Sequence, residues 1–187
     1  MLRKIVLLFT LFFASITLTW SNSAKIDTLV LVLAYGNVEI TLDSKLAPKN
    51  VERVKKLAEE GSYDGVVFHR VIDGFMAQTG DVQFGNIYGY NDKLVGSGVS
   101  DYANLPAEFS DKPFKRGVVA MARSSDVNSA NAQFFICFGD APWLNGQYTI
   151  IGEVTKGMKY IDQLRKGNTA NNGAVIDPDH IIKAYLK

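Results

Sequence analysis

The chain reads as short apolar runs punctuated by glycine-rich turns, with two stretches where the period of the apolar positions lengthens. Leu29 to Leu33 is apolar on both faces, and Tyr35-Gly36-Asn37 is a turn. Val38, Ile40 and Leu42 then alternate with polar neighbours, so this region predicts a hairpin of one fully buried and one half-buried strand. Between Ala47 and Glu60 the period becomes helical. Val51, Val54, Leu57 and Ala58 form a stripe, Glu52, Lys55, Lys56, Glu59 and Glu60 face away, Pro48 suits the first turn and Gly61 the stop. Tyr63-Asp64-Gly65 turns into a run from Phe68 to Ile72, which Gly74 interrupts and Phe75-Met76 restart. Period-two geometry puts Phe68, Arg70 and Ile72 on one face of that run and His69 and Val71 on the other.

Further along, Asp81 to Tyr102 is a long loop rich in Gly, Asn, Asp and Tyr, a length that is usually functional or mobile. Gly117 to Ala122 predicts a buried strand, Arg123 to Ala132 a polar loop, and Gln133 to Phe138 a strand with Gln133 and Phe135 on one face. Trp143-Leu144-Asn145-Gly146 is a turn and Tyr148 to Val154 another strand. Met158, Ile161 and Leu164 mark a second, shorter helix ended by Gly167, and Ile181 to Leu186 a last strand. Strands dominate and hairpin-like turns separate them. The expected fold class is mainly β: a closed antiparallel sheet with two covering helices, rather than a βαβ unit, in one mature domain over residues 25–187.

Residues 1–24 stand apart from that pattern. Arg3 and Lys4 precede an apolar core from Ile5 to Leu18, and Ser21, Ser23 and Ala24 supply small residues for cleavage, which predicts a secretory signal peptide. The alternative is an uncleaved anchor, for which the apolar core is short. The expected location is periplasmic or secreted, with no stable membrane association after cleavage. The absence of an Asn-x-Ser/Thr sequon mildly favours a bacterial periplasm. Loss of Arg3 and Lys4 takes the formal charge from +1 to −1, and no basic stripe points to nucleic acid. A chain of 187 residues buries a core without staples. The single cysteine, Cys137, with only His69 and His180 beside it, offers neither an intramolecular disulfide nor a metal cluster, and no cofactor is expected.

Hydrolase chemistry has no support. No serine sits in G-x-S-x-G, there is no H-E-x-x-H, and Cys137 lies in an apolar strand where burial raises a thiol pKa. What remains is one arginine and two amides among many apolar and aromatic groups. On local pattern alone Arg70 reads equally as an edge-strand arginine that keeps its head in water. The set suits a reaction without proton transfer or covalent intermediates, such as rotation about a peptide bond, whose barrier of ~18–20 kcal/mol comes from amide resonance. X–Pro bonds populate both isomers and exchange slowly. A catalyst needs an apolar pocket for the ring, anchors for the flanking backbone, and a donor for the prolyl nitrogen as its lone pair localises, a task an always-charged guanidinium suits.

The run Phe68-His69-Arg70-Val71-Ile72 with Gly74-Phe75-Met76-Ala77-Gln78-Thr79-Gly80-Asp81 resembles the signature of the cyclophilins, the cyclosporin-binding peptidyl-prolyl isomerases. Pro106-Ala107-Glu108-Phe109, Gly117 to Ala122, Asn131 to Ile136 and Trp143 to Tyr148 follow in the family's order, from about Thr28 to Leu186. The resemblance implies a closed eight-stranded β-barrel capped by two helices, acting on proline-containing polypeptides and assisting the folding of exported chains. It implies Arg70 as the catalytic donor and Phe75, Met76, Phe135 and Leu144 as the proline pocket. Gln78 and Gln133 would bind the peptide, backbone groups of Ala122, Arg123 and Ser124 would hold the residue before proline, and Trp143 on the rim would go with cyclosporin-type inhibitor binding. A monomer is expected.

This chain departs from the family pattern in three places. Tyr148 stands where many cyclophilins carry histidine, keeping an aromatic wall and a polar tip. Arg123 replaces an asparagine common in eukaryotic members, and the loop from Asp81 to Tyr102 matches bacterial members only loosely. Taken one at a time, Phe75, Met76, Phe135 and Leu144 read as core, and His69 as a packed structural histidine. The rival function is a proline-peptide binding or chaperone module that holds chains without turning them over, for which Arg70 has little use.

Overall fold

The computed structural model describes residues 27–187, so the proposed leader lies outside the described residues. In chain order the elements are β1 (Thr28–Leu33), β2 (Gly36–Leu42), α1 (Pro48–Glu59), β3 (Arg70–Ile72), β4 (Met76–Thr79), β5 (Val118–Met121), β6 (Phe134–Cys137), β7 (Ile150–Lys156), α2 (Met158–Ile161) and β8 (Lys183–Leu186). Single 3₁₀ turns occupy Pro142–Leu144 and Thr169–Asn171. The predicted second helix is only Met158–Ile161, and the chain passes Leu164 in turns rather than continuing as helix.

All eight strands join one antiparallel sheet in the order β3-β4-β6-β5-β7-β2-β1-β8. The expected closed barrel is corrected here to an open half-barrel, because β3 and β8 are edges that form no ladder with each other. The physical reason lies at the outer edge of β3, where segment 167–175 sits instead. The Gly173 carbonyl accepts from Val71 N at 2.8 Å, the Val71 carbonyl from Gly167 N at 2.8 Å, and the His69 carbonyl from Val175 N at 3.1 Å. Across the gap only irregular segments meet, through the Val67–His180 bridge and the bond from Phe68 N to the Asp179 carbonyl at 2.8 Å. Gly173, at φ +79°, lets the filling segment approach, since a Cβ there would run into the Ile72 side chain.

Helix α1 lies against β8 and buries Val51, Val54, Leu57 and Ala58, as its stripe predicts. Its N-terminal amides, which have no partner within the helix, are met from a distance. The Glu108 carboxylate accepts from Lys49 N at 3.2 Å and from Asn50 N at 3.0 Å, where a negative charge also suits the helix dipole.

Alternation along the strands divides the apolar residues into two clusters. Phe134 and Ile136 join the main core with Leu31, Ile40, Phe68, Val71 and Met121. Phe135 and Cys137 point the other way, into a smaller cluster with Met76, Phe114, Ala120, Leu144 and Ile150, against which Ile72, Phe75 and Tyr148 pack. The face reading holds for β6 and fails at Phe68. Phe68 and His69 lie outside the ladder, so the parity of β3 starts afresh at Arg70, and Phe68 turns to the main core while Ile72 packs on the second cluster.

Candidate active site

The second cluster supports a concave surface on one side of the sheet. The antiparallel register sets Arg70 opposite Gln78, and Gln78 opposite Phe135, so β3, β4 and β6 each deliver one group to the same line. A cavity of about 170 Å³ opens there, lined by Arg70, Phe75, Met76, Gln78, Ala122, Arg123, Phe135, Leu144 and Tyr148. Met76, Phe135 and Leu144 are nearly buried and form its apolar wall. Phe114 stacks behind Phe135 at 6.2 Å between ring centroids and 15° between planes, which fixes the wall from below.

Arg70 is held but not neutralised. Its Nε donates to the Asn172 carbonyl at 2.9 Å and Nη2 to Asn172 Oδ1 at 3.0 Å, while Nη1 donates to Gln78 Oε1 at 3.3 Å and approaches Met76 Sδ at 3.7 Å. Among the described residues no carboxylate lies within ion-pair distance of it. Partial burial pulls its pKa below the ordinary arginine value, with the nearby Tyr148 acting in the opposite sense. The group stays charged at any working pH. The thioether of Met76 is a weak acceptor, so the N–H facing it is the one most easily given to a ligand.

A chain of amides runs from Arg70 to a second cavity. Gln78 Nε2 donates to Gln133 Oε1 at 2.9 Å, and Gln133 Nε2 donates to the carbonyls of Gly96 at 3.1 Å and Gly98 at 2.9 Å. Asp81, fully buried, ties down the loop that supplies those carbonyls. Its Oδ2 accepts from Gly96 N at 2.6 Å and Gly98 N at 2.9 Å, and its Oδ1 from Gln83 N at 3.1 Å and Phe84 N at 2.9 Å. Gly98 cannot be replaced freely, since a Cβ there would collide with the Asp81 carboxylate. The second cavity, about 380 Å³, shares Gln78, Ala122 and Arg123 with the first and adds Ser124, Gln133, Ser129 and the Gly96–Val99 segment.

Of the residues singled out in the sequence, Arg70, Phe75, Met76, Gln78, Ala122, Arg123, Phe135, Leu144 and Tyr148 line the first cavity, while Ser124 and Gln133 line the second. Trp143 lines neither. It is 59% exposed at the rim, its ring 5.7 Å from that of Phe75. Tyr148 meets Phe135 edge-to-face at 5.6 Å and carries the Arg123 guanidinium 4.6 Å over its ring. Cys137 is buried in the second apolar cluster with its thiol pushed up to about 12 by burial, so it supplies no thiolate. His69 is buried, and burial pulls its pKa down to about 4, with Asp81 opposing and Arg70 reinforcing. Among the described residues neither ring nitrogen makes a well-formed hydrogen bond.

Sequence reasoning missed Asn172 altogether and gave Asp81 no role beyond the motif that contains it. Asn172 stands at φ 50°, and the run Asn171-Asn172-Gly173 does signal a turn, but nothing local says that the turn packs on Arg70.

One antiparallel eight-stranded sheet with two helices thus carries, beside an apolar cavity, an arginine that has no carboxylate partner among the described residues. The sequence matches the family described as cyclophilin type peptidyl-prolyl cis-trans isomerase/CLD over residues 28–186. It is 57% identical over 162 residues to a probable peptidyl-prolyl cis-trans isomerase of Brucella suis, covering 86% of this chain and 83% of that protein. It is 37% identical over 158 residues to a peptidyl-prolyl cis-trans isomerase of Dictyostelium discoideum, covering 84% of this chain and 96% of the other. Among solved structures, a Cryptosporidium parvum cyclophilin type peptidyl-prolyl cis-trans isomerase, crystallised in the presence of the dipeptide Ala-Pro, superimposes with a TM-score of 0.72. That pair is 25% identical and covers 86% of this chain and 98% of the other. The chain belongs to the cyclophilin-type peptidyl-prolyl cis-trans isomerases. Its activity is isomerisation of X–Pro peptide bonds, so the rival reading of a binder without turnover is set aside.

Proposed function

We propose that Arg70 is the catalytic donor of this isomerase and that the adjoining apolar cavity takes the proline ring. The observation that supports this is the guanidinium, free of any carboxylate among the described residues, beside the wall of Met76, Phe135 and Leu144. In the planar amide the prolyl nitrogen shares its lone pair with the carbonyl and accepts poorly. As the bond twists the pair localises, and the Nη1 hydrogen now aimed at the Met76 sulfur shifts to it. The donor thus acts more strongly on the twisted state than on the planar one, which lowers the barrier instead of merely tightening binding. Holding the ring in the cavity while Gln78, Gln133 and the backbone of Ala122, Arg123 and Ser124 hold the neighbouring peptide confines rotation to one bond.

Tyr148 keeps the cavity wall aromatic, so turnover survives its presence in place of histidine. Trp143 at the rim gives a cyclosporin-type inhibitor its edge contact. Residues 1–24 act as a secretory leader, the mature chain works as a periplasmic or secreted monomer, and its clients are exported polypeptides with proline bonds to set. An alanine substitution tests the centre of this reading. Arg70→Ala is expected to cut turnover of an X–Pro peptide at least tenfold, the equivalent of ~1.4 kcal/mol of barrier, while peptide binding falls less. Turnover equal to that of the native chain would overturn the assignment.

A further inference from the structure

We infer that Arg123 selects substrates with an acidic side chain two residues from the isomerising proline. The inference rests on the reading that the smaller cavity takes the proline ring. Arg123 is one of three residues that line both cavities, and it is the charged one. Its Nε and Nη2 donate to the Gln147 carbonyl at 3.2 and 3.0 Å, and Nη1 donates to the Ser124 carbonyl at 2.9 Å. All three bonds end on neutral backbone oxygen, so they orient the guanidinium and leave its charge uncompensated. A guanidinium has five N–H donors, and one on each terminal nitrogen is therefore left over for a ligand.

The surroundings favour an anion. Among the described residues no Asp or Glu lines either cavity. The acidic residue in the neighbouring loop, Asp126, turns its Oδ1 to the Asn128 amide at 2.9 Å. The larger cavity is otherwise lined by small and polar groups, among them Ser97, Ser124 and Ser129, which suits a short polar side chain better than an aromatic one. The Tyr148 ring under Arg123 holds the cation without cancelling it. A peptide bound in extended form presents alternate residues to the same surface, about 7 Å apart. With the proline in the first cavity, the side chain that reaches the second belongs to the residue two positions away. A carboxylate there meets a pre-oriented fork, the arrangement in which arginine binds carboxylates best.

The experiment compares kcat/KM for matched X–Pro peptides carrying Glu or Gln two residues before, or two residues after, the proline. In the native chain the Glu peptide is expected to be favoured about fivefold at one of the two placements, the scale of a partly exposed ion pair, with the advantage shrinking as salt is added. In Arg123→Gln the ratio should fall below twofold. Each ratio is taken on one protein, so a general loss of activity in the variant cancels. A ratio near one at both placements in the native chain, or a preference that survives in Arg123→Gln, overturns the inference. Arg70→Gln separates it from the reading beneath: unchanged turnover of the Gln peptide in that variant sinks the proline-site assignment, whereas a flat Glu:Gln ratio in a chain that needs Arg70 sinks only the role of Arg123.

Discussion

Replacing Asn172 by glycine isolates how much of the effect proposed for Arg70 comes from its being aimed. Asn172 sits at φ 50°, a conformation glycine adopts at no steric cost, and it is exposed, so little packing is lost. The substitution keeps the backbone carbonyl that receives Arg70 Nε at 2.9 Å and removes only Oδ1, which receives Nη2 at 3.0 Å. A hydrogen bond to a charged group contributes ~1.5–3 kcal/mol when desolvated. Arg70 is about half-buried and keeps its second tether, so the expected loss of orientation falls below that range, at ~1 kcal/mol, or about fivefold in rate. The readout is a protease-coupled isomerisation assay on an X–Pro peptide, with kcat and KM separated. The loss should fall on kcat, because the bond matters most when the donor must follow a twisting nitrogen. Thermal unfolding should move little, as expected for an exposed site away from the core. A kcat within about 1.5-fold of native, in a preparation where Arg70→Ala is strongly impaired, would refute the claim that segment 167–175 aims the guanidinium.

Two further outcomes follow from groups buried behind the site. Asp81→Asn leaves one oxygen where two serve four backbone amides, and sets an N–H₂ against N–H donors of the loop. It should cost ~2–4 kcal/mol in urea unfolding and raise KM by freeing the Gly96 and Gly98 carbonyls that hold Gln133, whereas a loss below ~0.5 kcal/mol would show that the loop does not depend on the carboxylate. His69, with its pKa lowered to about 4, binds its proton less readily folded than unfolded. Its contribution is therefore fully present above about pH 6.5 and is lost as pH falls toward 4, by up to ~3 kcal/mol in all. Urea unfolding of native and His69→Gln protein near pH 7 and near pH 4.5 should show a shallower pH dependence in the variant, and parallel slopes would contradict the burial argument.

Much of the site was legible because it lies on regular, closely spaced elements. Arg70, Met76 and Gln78 share one short hairpin, and Phe135 joins them through the parity of β6, so alternation alone groups them. The rest was hidden for physical reasons. Asn172 reaches Arg70 from 102 positions away because an irregular segment fills the edge of β3, and irregular backbone has no period to read. The same filling keeps the sheet open, against the expectation of a closed barrel. Asp81 carried no chemical cue, since its partners are backbone amides up to 17 positions on, and any residue but proline supplies those. Phe68 misled the face reading because the ladder breaks just before Arg70.

The two substitutions that depart from the family pattern beside the cavity, Arg123 and Tyr148, are one physical unit. The Tyr148 ring meets both Phe135, edge-to-face at 5.6 Å, and Arg123, at 4.6 Å. Arg123 in turn is tied to the Gln147 carbonyl next door. A cation over a ring face is attracted to its negative quadrupole, and a ring so held keeps its perpendicular contact with Phe135, the wall proposed to meet the proline. Replacing Tyr148 alone would leave Arg123 without its platform, and replacing Arg123 alone would loosen the ring that shapes the cavity. Contacting residues of this kind are coupled rather than additive. The effect of either residue on turnover therefore has to be measured with the other both present and absent.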